Sequence, residues 1–443
     1  MKFLIVIAVI FFLLQTGFAQ KNYTIQDIFS VALKKAEKVK IAEENVKIAE
    51  EGRYKALSYL LPTITAFSKY TEYSKEKLVT TPTAIQIIQP DRSILWGITV
   101  EERISLGGKE FIALSIAKEN INKTEFNVIS FKEQYLLKVA QELYSYLKAK
   151  RAVEIAQANV ERLKKHRDAA KIRLKVGEVT KTDLLRAEAE LSGAEADLIS
   201  TINNLKIAKL NLTKVAGISE DFEVIETKLI DPYIDLTVEN IKDIAKQHRA
   251  EIKVVQAEKE IAKKNVNHAI SSFFPYVSIS VTYQRLDQNP SNQFTNKESS
   301  YLVAALNFPI FEGGLRKAEV GEAKAKLRQA ELMYEDILKE VLVDVESAYL
   351  LYVTFKDTIK SLEDEVAYAK ENFNSVFKQY QHGLANSIDV TDANTFLLTA
   401  ERRLMEAQYN YQLAILRLRQ ATGTLLKAFL NNEILLKNDS KQH

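Results

Sequence analysis

The residues of this chain best placed to do chemistry are carboxylates that follow two glycines. Asp183 lies six positions after Gly177, Asp389 lies six after Gly383, and Asp392 stands three beyond Asp389. Two acids three apart on a helix stand one turn apart on the same face, so Asp389 and Asp392 place two negative charges side by side. Capping accounts for much of the surrounding pattern. Gly177 and Gly383 accept the left-handed conformation that ends a helix, and Thr180, Thr182, Asp183 and Ser387 can satisfy the free backbone donors that start the next. It accounts less well for the Asp389–Asp392 pair. Sets that would support covalent or metal chemistry are missing from the sequence. The five histidines, His166, His248, His268, His382 and His443, are scattered without ligand spacing, and there is no Cys. Neither a phosphate-cradling glycine loop nor a nucleophile elbow is present. No enzyme activity, cofactor or metal is expected.

The elements that position these residues occur twice. Gly107-Gly108 recurs as Gly313-Gly314, Gly177 as Gly383, Asp183 as Asp389 and Ala216-Gly217 as Thr422-Gly423, all separated by the same 206 positions. Tyr23-Thr24 against Leu236-Thr237, and Leu61-Pro62-Thr63 against Phe274-Pro275-Tyr276, are separated by 213. The seven-residue difference therefore falls between each Pro and each Gly-Gly. A frame of fixed length around one elastic segment predicts a pseudo-symmetric architecture with a free surface loop.

The first residues stand outside that frame. Lys2, an apolar run from Phe3 to Leu14, and Gly17-Phe18-Ala19 before Gln20 have the order of a secretory signal peptide cleaved after Ala19. The lack of Cys removes a lipid-anchored cysteine and any disulfide. The net charge is +3, with both signs interspersed, which gives no concentrated basic face for nucleic acid.

Pro is absent from 108–177 and 314–383, which are rich in Ala, Leu, Glu, Lys and Gln. The second of these stretches carries Leu338, Leu342, Val345, Tyr349, Tyr352, Ile359, Leu362, Val366, Ala369, Phe373, Val376 and Tyr380 in alternating steps of three and four, interrupted where Lys356 takes a core position. That repeat predicts coiled-coil packing. At helical rise each stretch spans roughly 100 Å. The shorter segments 24–60, 180–216, 237–273 and 386–422 match it only when two are stacked end to end. A cylinder of alternating unbroken and spliced helices follows, with 217–236 and 424–443 near the splice.

Between each Pro and Gly-Gly the period changes to two. Ile94, Trp96, Ile98, Val100 and Ile104 alternate with polar or small residues, as do Val277, Ile279, Val281 and Tyr283, and then Leu302, Ala304, Leu306 and Phe308. With a weaker strand over 63–73, these read as two hairpins joined by polar loops near 74–93 and 286–299. Trp96 and the tyrosines suit an aromatic girdle or core packing. Strands of about ten residues suit a bilayer. Four of them cannot close a barrel with room inside, and an open edge in lipid is prohibitive. Several chains must contribute; three would supply twelve strands.

The order of helix, Leu-Pro strand, loop, strand, Gly-Gly, long helix, Gly-x5-Asp, helix and Ala-Gly, all repeated, resembles the TolC family of outer-membrane efflux channels. Asn307-Phe308-Pro309-Ile310-Phe311-Glu312-Gly313-Gly314 is similar to that family's strand-to-helix signature. The resemblance covers essentially the whole mature chain. The first copy departs from it by lacking the Pro ahead of Gly107 and Gly108. The resemblance implies a mainly α fold with a membrane β-barrel portion: a homotrimer with a periplasmic α-barrel and a shared 12-stranded β-barrel. Its implied role is an outer-membrane channel of a tripartite efflux or type I secretion system. Its implied partners are a periplasmic adaptor, an inner-membrane RND or ABC transporter and outer-membrane lipid. By position, Asp183 and Tyr380 match the family's periplasmic gate pair, with Thr182 beside them. Asp389 and Asp392 match the ring of acids at the constriction, while the gate Arg falls on Ala385. These matches lead to an expected Asp183–Tyr380 link, whose loss in Tyr380→Phe would raise conductance.

The expected organisation is a signal peptide over 1–19, a first repeat over 20–217, a connector over 218–236, a second repeat over 237–423 and a terminal segment over 424–443. The alternative function is a periplasmic coiled-coil scaffold, which the heptads alone would satisfy. Bilayer-length alternating strands discriminate, because a scaffold has no use for them.

Overall fold

The computed structural model describes residues 21–83, 85–219, 221–234, 236–291 and 296–435. The expected signal peptide and the end of the terminal segment, 436–443, lie outside them. The repeat in the sequence is a repeat of elements. The first copy runs β1 (Lys21–Tyr23), α1 (Ile25–Lys35), α2 (Glu37–Ser58), β2 (Thr63–Glu72), β3 (Lys77–Thr80), β4 (Ile85–Gln89), β5 (Arg92–Ser105), α3 (Lys109–Lys175) and α4 (Lys181–Ala216). After β6 (Phe222–Val224), the second runs α5 (Val238–His248), α6 (Ala250–Ser271), β7 (Tyr276–Asn289), β8 (Glu298–Asn307), α7 (Leu315–Gln381) and α8 (Ser387–Ala421), closed by α9 (Leu425–Leu430). Corresponding helices agree in length: α1 and α5 have 11 residues each, α2 and α6 have 22, and α3 and α7 have 67. A helix of 67 residues is about 100 Å long.

Four capping boxes start the matching helices. Thr24 with Asp27, Thr180 with Asp183, Thr237 with Asn240, and Asn386 with Asp389 each bond reciprocally to the other's backbone. The landmarks Thr24 and Thr237, and Asp183 and Asp389, are therefore helix starts. Ser387, expected as a cap, is instead the first helical residue.

The segments expected as single helices over 24–60 and 237–273 are each broken, at Ala36 (φ −62°, ψ 121°) and Arg249 (φ −63°, ψ 121°). Neither break has a Gly or Pro to announce it. Both stand where cations reach the end of another helix. Lys35 Nζ donates to the Gly217 carbonyl at 3.3 Å, and Arg249 donates to the Gln420 carbonyl at 2.9 Å. These are the helix ends where unsatisfied carbonyls favour positive charge. Gly423 fits this close approach: its φ is +69°, and a Cβ there would lie 2.8 Å from the backbone of His248 and Arg249.

The chain forms two compact units. One combines Glu43–Asn127 with Glu251–Ile337. Its antiparallel sheet has the order β2-β5-β7-β8, so both β2 and β8 are edges. The register Val100↔Val281, Ile98↔Tyr283 and Val281↔Leu302 aligns the apolar residues of three strands on one face. That face is open: Ile64 is 73%, Leu302 65% and Leu306 67% exposed. The opposite face carries hydroxyls, and Thr99 and Thr282 meet across strands at 3.0 Å. Phe67 covers Gly97 on this face, where an added Cβ would approach its ring to 2.9 Å. One feature differs from expectation, and in another the two copies differ from each other. The 74–93 segment contains its own hairpin, β3–β4. β5 also runs on to Ser105, whereas β8 stops at Asn307, two residues before Pro309; Arg103 occupies the corresponding place in the first copy. A proline has no N–H to donate to a ladder, so only the second copy bends there.

The other unit comprises the chain up to Ala42, Val128–Ala250 and the part from Leu338 onward. Heptad residues Val345, Tyr352, Ala369, Phe373 and Tyr380 are buried in it. β1 and β6 pair in parallel, and Leu435 bridges Leu229, so the connector and terminal segment are held together. Asp231 is the hub: its carboxylate accepts from Tyr352 Oη at 2.7 Å and Tyr411 Oη at 2.6 Å, while the two rings stack at 5.8 Å. No helix among the described residues is long and apolar enough to cross a membrane.

Candidate functional site

Both helix-to-helix turns, after α3 and after α7, lie in the second unit. Gly177 (φ +80°) and Gly383 (φ +76°) end the long helices. The turns thus place Thr182, Asp183, Tyr380, Asp389 and Asp392 at one end of the helical hairpins. Thr182 is exposed. Asp183 is engaged locally, its carboxylate accepting from the Thr180 amide at 2.9 Å and hydroxyl at 2.7 Å. Those bonds hold its carboxyl below the ordinary range.

The expected Asp183–Tyr380 hydrogen bond is not made within the chain. Tyr380 is buried, and its hydroxyl has no hydrogen-bond partner. Burial raises its phenol above the ordinary value. Its carbonyl is the bonded group. Arg173, near the end of α3, donates to it at 2.6 Å, lies 4.7 Å over the Tyr380 ring, and pairs with Glu178 in the first turn at 3.0 Å. One guanidinium therefore staples both turns. Arg173 was not singled out in the sequence, because a basic residue in the last turn of a helix is ordinary C-terminal capping.

A second interior contact was equally hidden. His166 of α3 is fully buried, with Nε2 at 3.2 Å from Ser387 Oγ and its ring edge-on to Tyr380 at 5.0 Å. Its Nδ1 has no hydrogen-bond partner, and the Glu190 carboxylate of α4 is 4.0 Å away. Glu190 also accepts from Thr391 of α8 at 2.8 Å, and burial raises its carboxyl. The cluster thus joins all four helices. Farther along, Asn394 donates to Asn159 at 2.8 Å, and Arg162 bonds Asn394 at 2.9 Å and Glu401 at 3.0 Å.

Burial pushes the His166 imidazole down to about 4. A base with a depressed folded value stabilises the packed form while neutral, above its unfolded value near 6.5. That contribution is lost as pH falls from there toward 4. Amide protection at Tyr380 and Ser387, corrected for intrinsic exchange, should fall roughly a hundredfold between pH 7 and pH 4. His166→Gln should flatten that dependence; an equal slope in the variant would assign it to another group.

The two acids nominated for a ring differ. Asp389 is spent on capping, accepting from the Asn386 amide at 2.9 Å. Asp392 is exposed and has no ion pair among the described residues. At the strand-to-helix junctions, Gly108, Gly313 and Gly314 have positive φ. Gly107 is required by proximity instead: a Cβ there would lie 2.5 Å from the Ser271 carbonyl. Among the described residues, no group of three or more His, Asp or Glu could hold a metal.

The model of a family described as outer membrane efflux protein matches residues 29–218 and 242–424, one copy of the repeat each. The outer membrane protein TolC of Vibrio cholerae is 22% identical over 321 residues, 71% of this chain and 73% of that protein. The outer membrane efflux protein BepC of Brucella suis is 21% identical over 413 residues, 93% of this chain and 87% of that protein. The solved structure of the outer membrane protein VceC from Vibrio cholerae superposes with a TM-score of 0.78 at 19% identity, covering 90% of this chain and 96% of VceC.

Proposed function

Since the chain belongs to the outer membrane efflux protein family, we propose that three copies of it pool their sheets into one closed β-barrel and their helices into one tunnel. The protein is an outer-membrane channel for efflux or type I secretion that extends into the periplasm and works with an adaptor and an inner-membrane transporter. The observation that carries the trimeric reading is the sheet. Its two edges, β2 and β8, are unpaired among the described residues, and its apolar face is exposed. Such a sheet is stable in lipid only when every edge is closed by another chain. A coiled-coil scaffold would have no use for it.

Within this reading the helix turns form the periplasmic constriction. Thr182, Asp183 and Tyr380 stand at the gate, and Asp389 and Asp392 ring the opening. Asp392 is the stronger ring residue because capping makes no demand on it. Asp392→Asn should lower the cation preference of the open channel several-fold and weaken block by multivalent cations, as expected for an acidic ring. Reversal potentials in a salt gradient measure this, and an unchanged potential would reduce Asp392 to a surface charge.

The assembly itself is tested by the native mass of the protein extracted from outer membranes in mild detergent. A three-chain particle supports barrel sharing. A monomer released without detergent would end the channel reading.

A further inference from the structure

The sheet-bearing unit contains a cavity of about 360 Å³ where the ends of α2, α3, α6 and α7 meet β5 and β7. Its size is within the range of small-molecule sites. Tyr59, Phe274, Tyr276 and Pro309 give it apolar and aromatic walls. Its charged lining is unbalanced, with Arg103, Lys109 and Arg316 facing a single acid, Glu110. Arg316 is already held by Glu312. Arg103 and Lys109 have no carboxylate partner among the described residues, and Arg103 lies 3.7 Å over the Tyr276 ring. His268, also in the lining, is pushed below its ordinary value by burial and then by the charge of Lys109.

The location is as informative as the composition. Arg103, Ser105 and Tyr276 belong to the hydroxyl-bearing face of the sheet, opposite the apolar face; Ser105 pairs directly with Tyr276. Both lie on the central strands, away from the edges that a neighbouring chain would extend. The cation arises from the departure in the repeat: Arg103 stands where the second copy has Pro309, and both residues line the cavity.

We propose that this cavity binds an anionic aromatic solute in the channel lumen, a carboxylate, sulfonate or phosphate monoester carried on a ring. The proposal rests on the channel reading for its lumen. Arg103 and Lys109 supply charge-assisted donors to the acid group, and Tyr59, Phe274 and Tyr276 cover the ring. A lipid headgroup carries the same oxyanion chemistry. The solute is favoured because the site opens on the polar face.

The test is calorimetric titration of the full chain, in non-ionic detergent at low ionic strength, with 2-naphthalenesulfonate. Saturable binding is expected, with one sulfonate per chain. It should weaken about tenfold or more in Arg103→Gln and in Lys109→Gln, since each removes one charged contact. Lys109→Arg should retain it, and neutral 2-naphthalenemethanol should bind at least tenfold more weakly. Equal binding of the neutral compound would overturn the proposal. So would undiminished binding in the double Gln variant with an unchanged circular dichroism spectrum. Displacement by phosphatidylglycerol micelles but not by soluble glycerol phosphate would overturn the solute assignment in favour of lipid. None of these readings needs conduction. Failure of the chain to conduct in a bilayer while sulfonate still binds would count against the channel instead.

Discussion

In the proposed gate, Arg173→Ala should favour the open state by roughly a hundredfold, read as a rise in single-channel conductance and open probability. The guanidinium is nearly buried, at 12% side-chain exposure, and makes three contacts at once. It donates to the Tyr380 carbonyl in the α8-side turn, pairs with Glu178 in the α4-side turn, and covers the Tyr380 ring. Hydrogen bonds to a charged group contribute about 1.5–3 kcal/mol, and a partly desolvated cation–π contact about 1 kcal/mol more. Truncation removes these together and leaves the Tyr380 carbonyl with the Gly383 amide, at 3.1 Å, as its remaining donor. Arg173→Lys should give an intermediate conductance, because a point charge can hold one acceptor but not the fork. Tyr380→Phe is expected to change little, since the hydroxyl it removes is unpartnered. If the native mass is normal and conductance of Arg173→Ala equals that of the parent, the staple does not hold the gate.

Asp231→Ala should destabilise the helical unit by about 3–5 kcal/mol, seen as a lower unfolding midpoint of the solubilised protein. Two tyrosine hydroxyls from different long helices, Tyr352 and Tyr411, end on this one carboxylate, and it also accepts from the Tyr233 amide at 3.0 Å. Burial raises both phenols, with the acceptance by Asp231 adding to it. Alanine leaves two largely desolvated donors without an acceptor, which costs more than the bonds were worth. Asp231→Asn keeps one acceptor oxygen and should lose about half as much. Replacing both tyrosines by Phe in the Asp231→Ala background should recover part of the loss. Without that recovery, the effect belongs to the connector backbone rather than to the hub.

Most of the frame is written in local signals. Helix starts follow from Thr or Asn with an acid or amide three positions on, as in Thr180 with Asp183, and need no distant partner. The seven-residue repeat ending at Tyr380 and the two-residue period through Trp96 each fix which face is apolar. The open face of the sheet follows from that period alone. The duplication then doubles every inference, because a coincidence in one copy is unlikely to recur at the same offset.

What the tertiary structure decided are pairings between residues far apart in the chain. The breaks at Ala36 and Arg249 carry no Gly or Pro; they are set by where Lys35 and Arg249 meet helix ends far away in sequence. Arg173 and Tyr380 are separated by 207 positions and His166 and Ser387 by 221, so no window of sequence holds both partners. The same limit applies to the cavity at Arg103, whose walls come from six elements. Asp183 and Asp389 show the converse. The sequence nominated them for a gate and a ring, and the fold commits both carboxylates first to their own helix starts, because the nearest unsatisfied N–H is three residues away. Periodicity and capping are short-range, so the sequence by itself determined where the capped helices start and which face of each element is apolar. Which side chains meet across those faces was left to the packing of the long helices, since contact at that distance is fixed only when the whole frame closes.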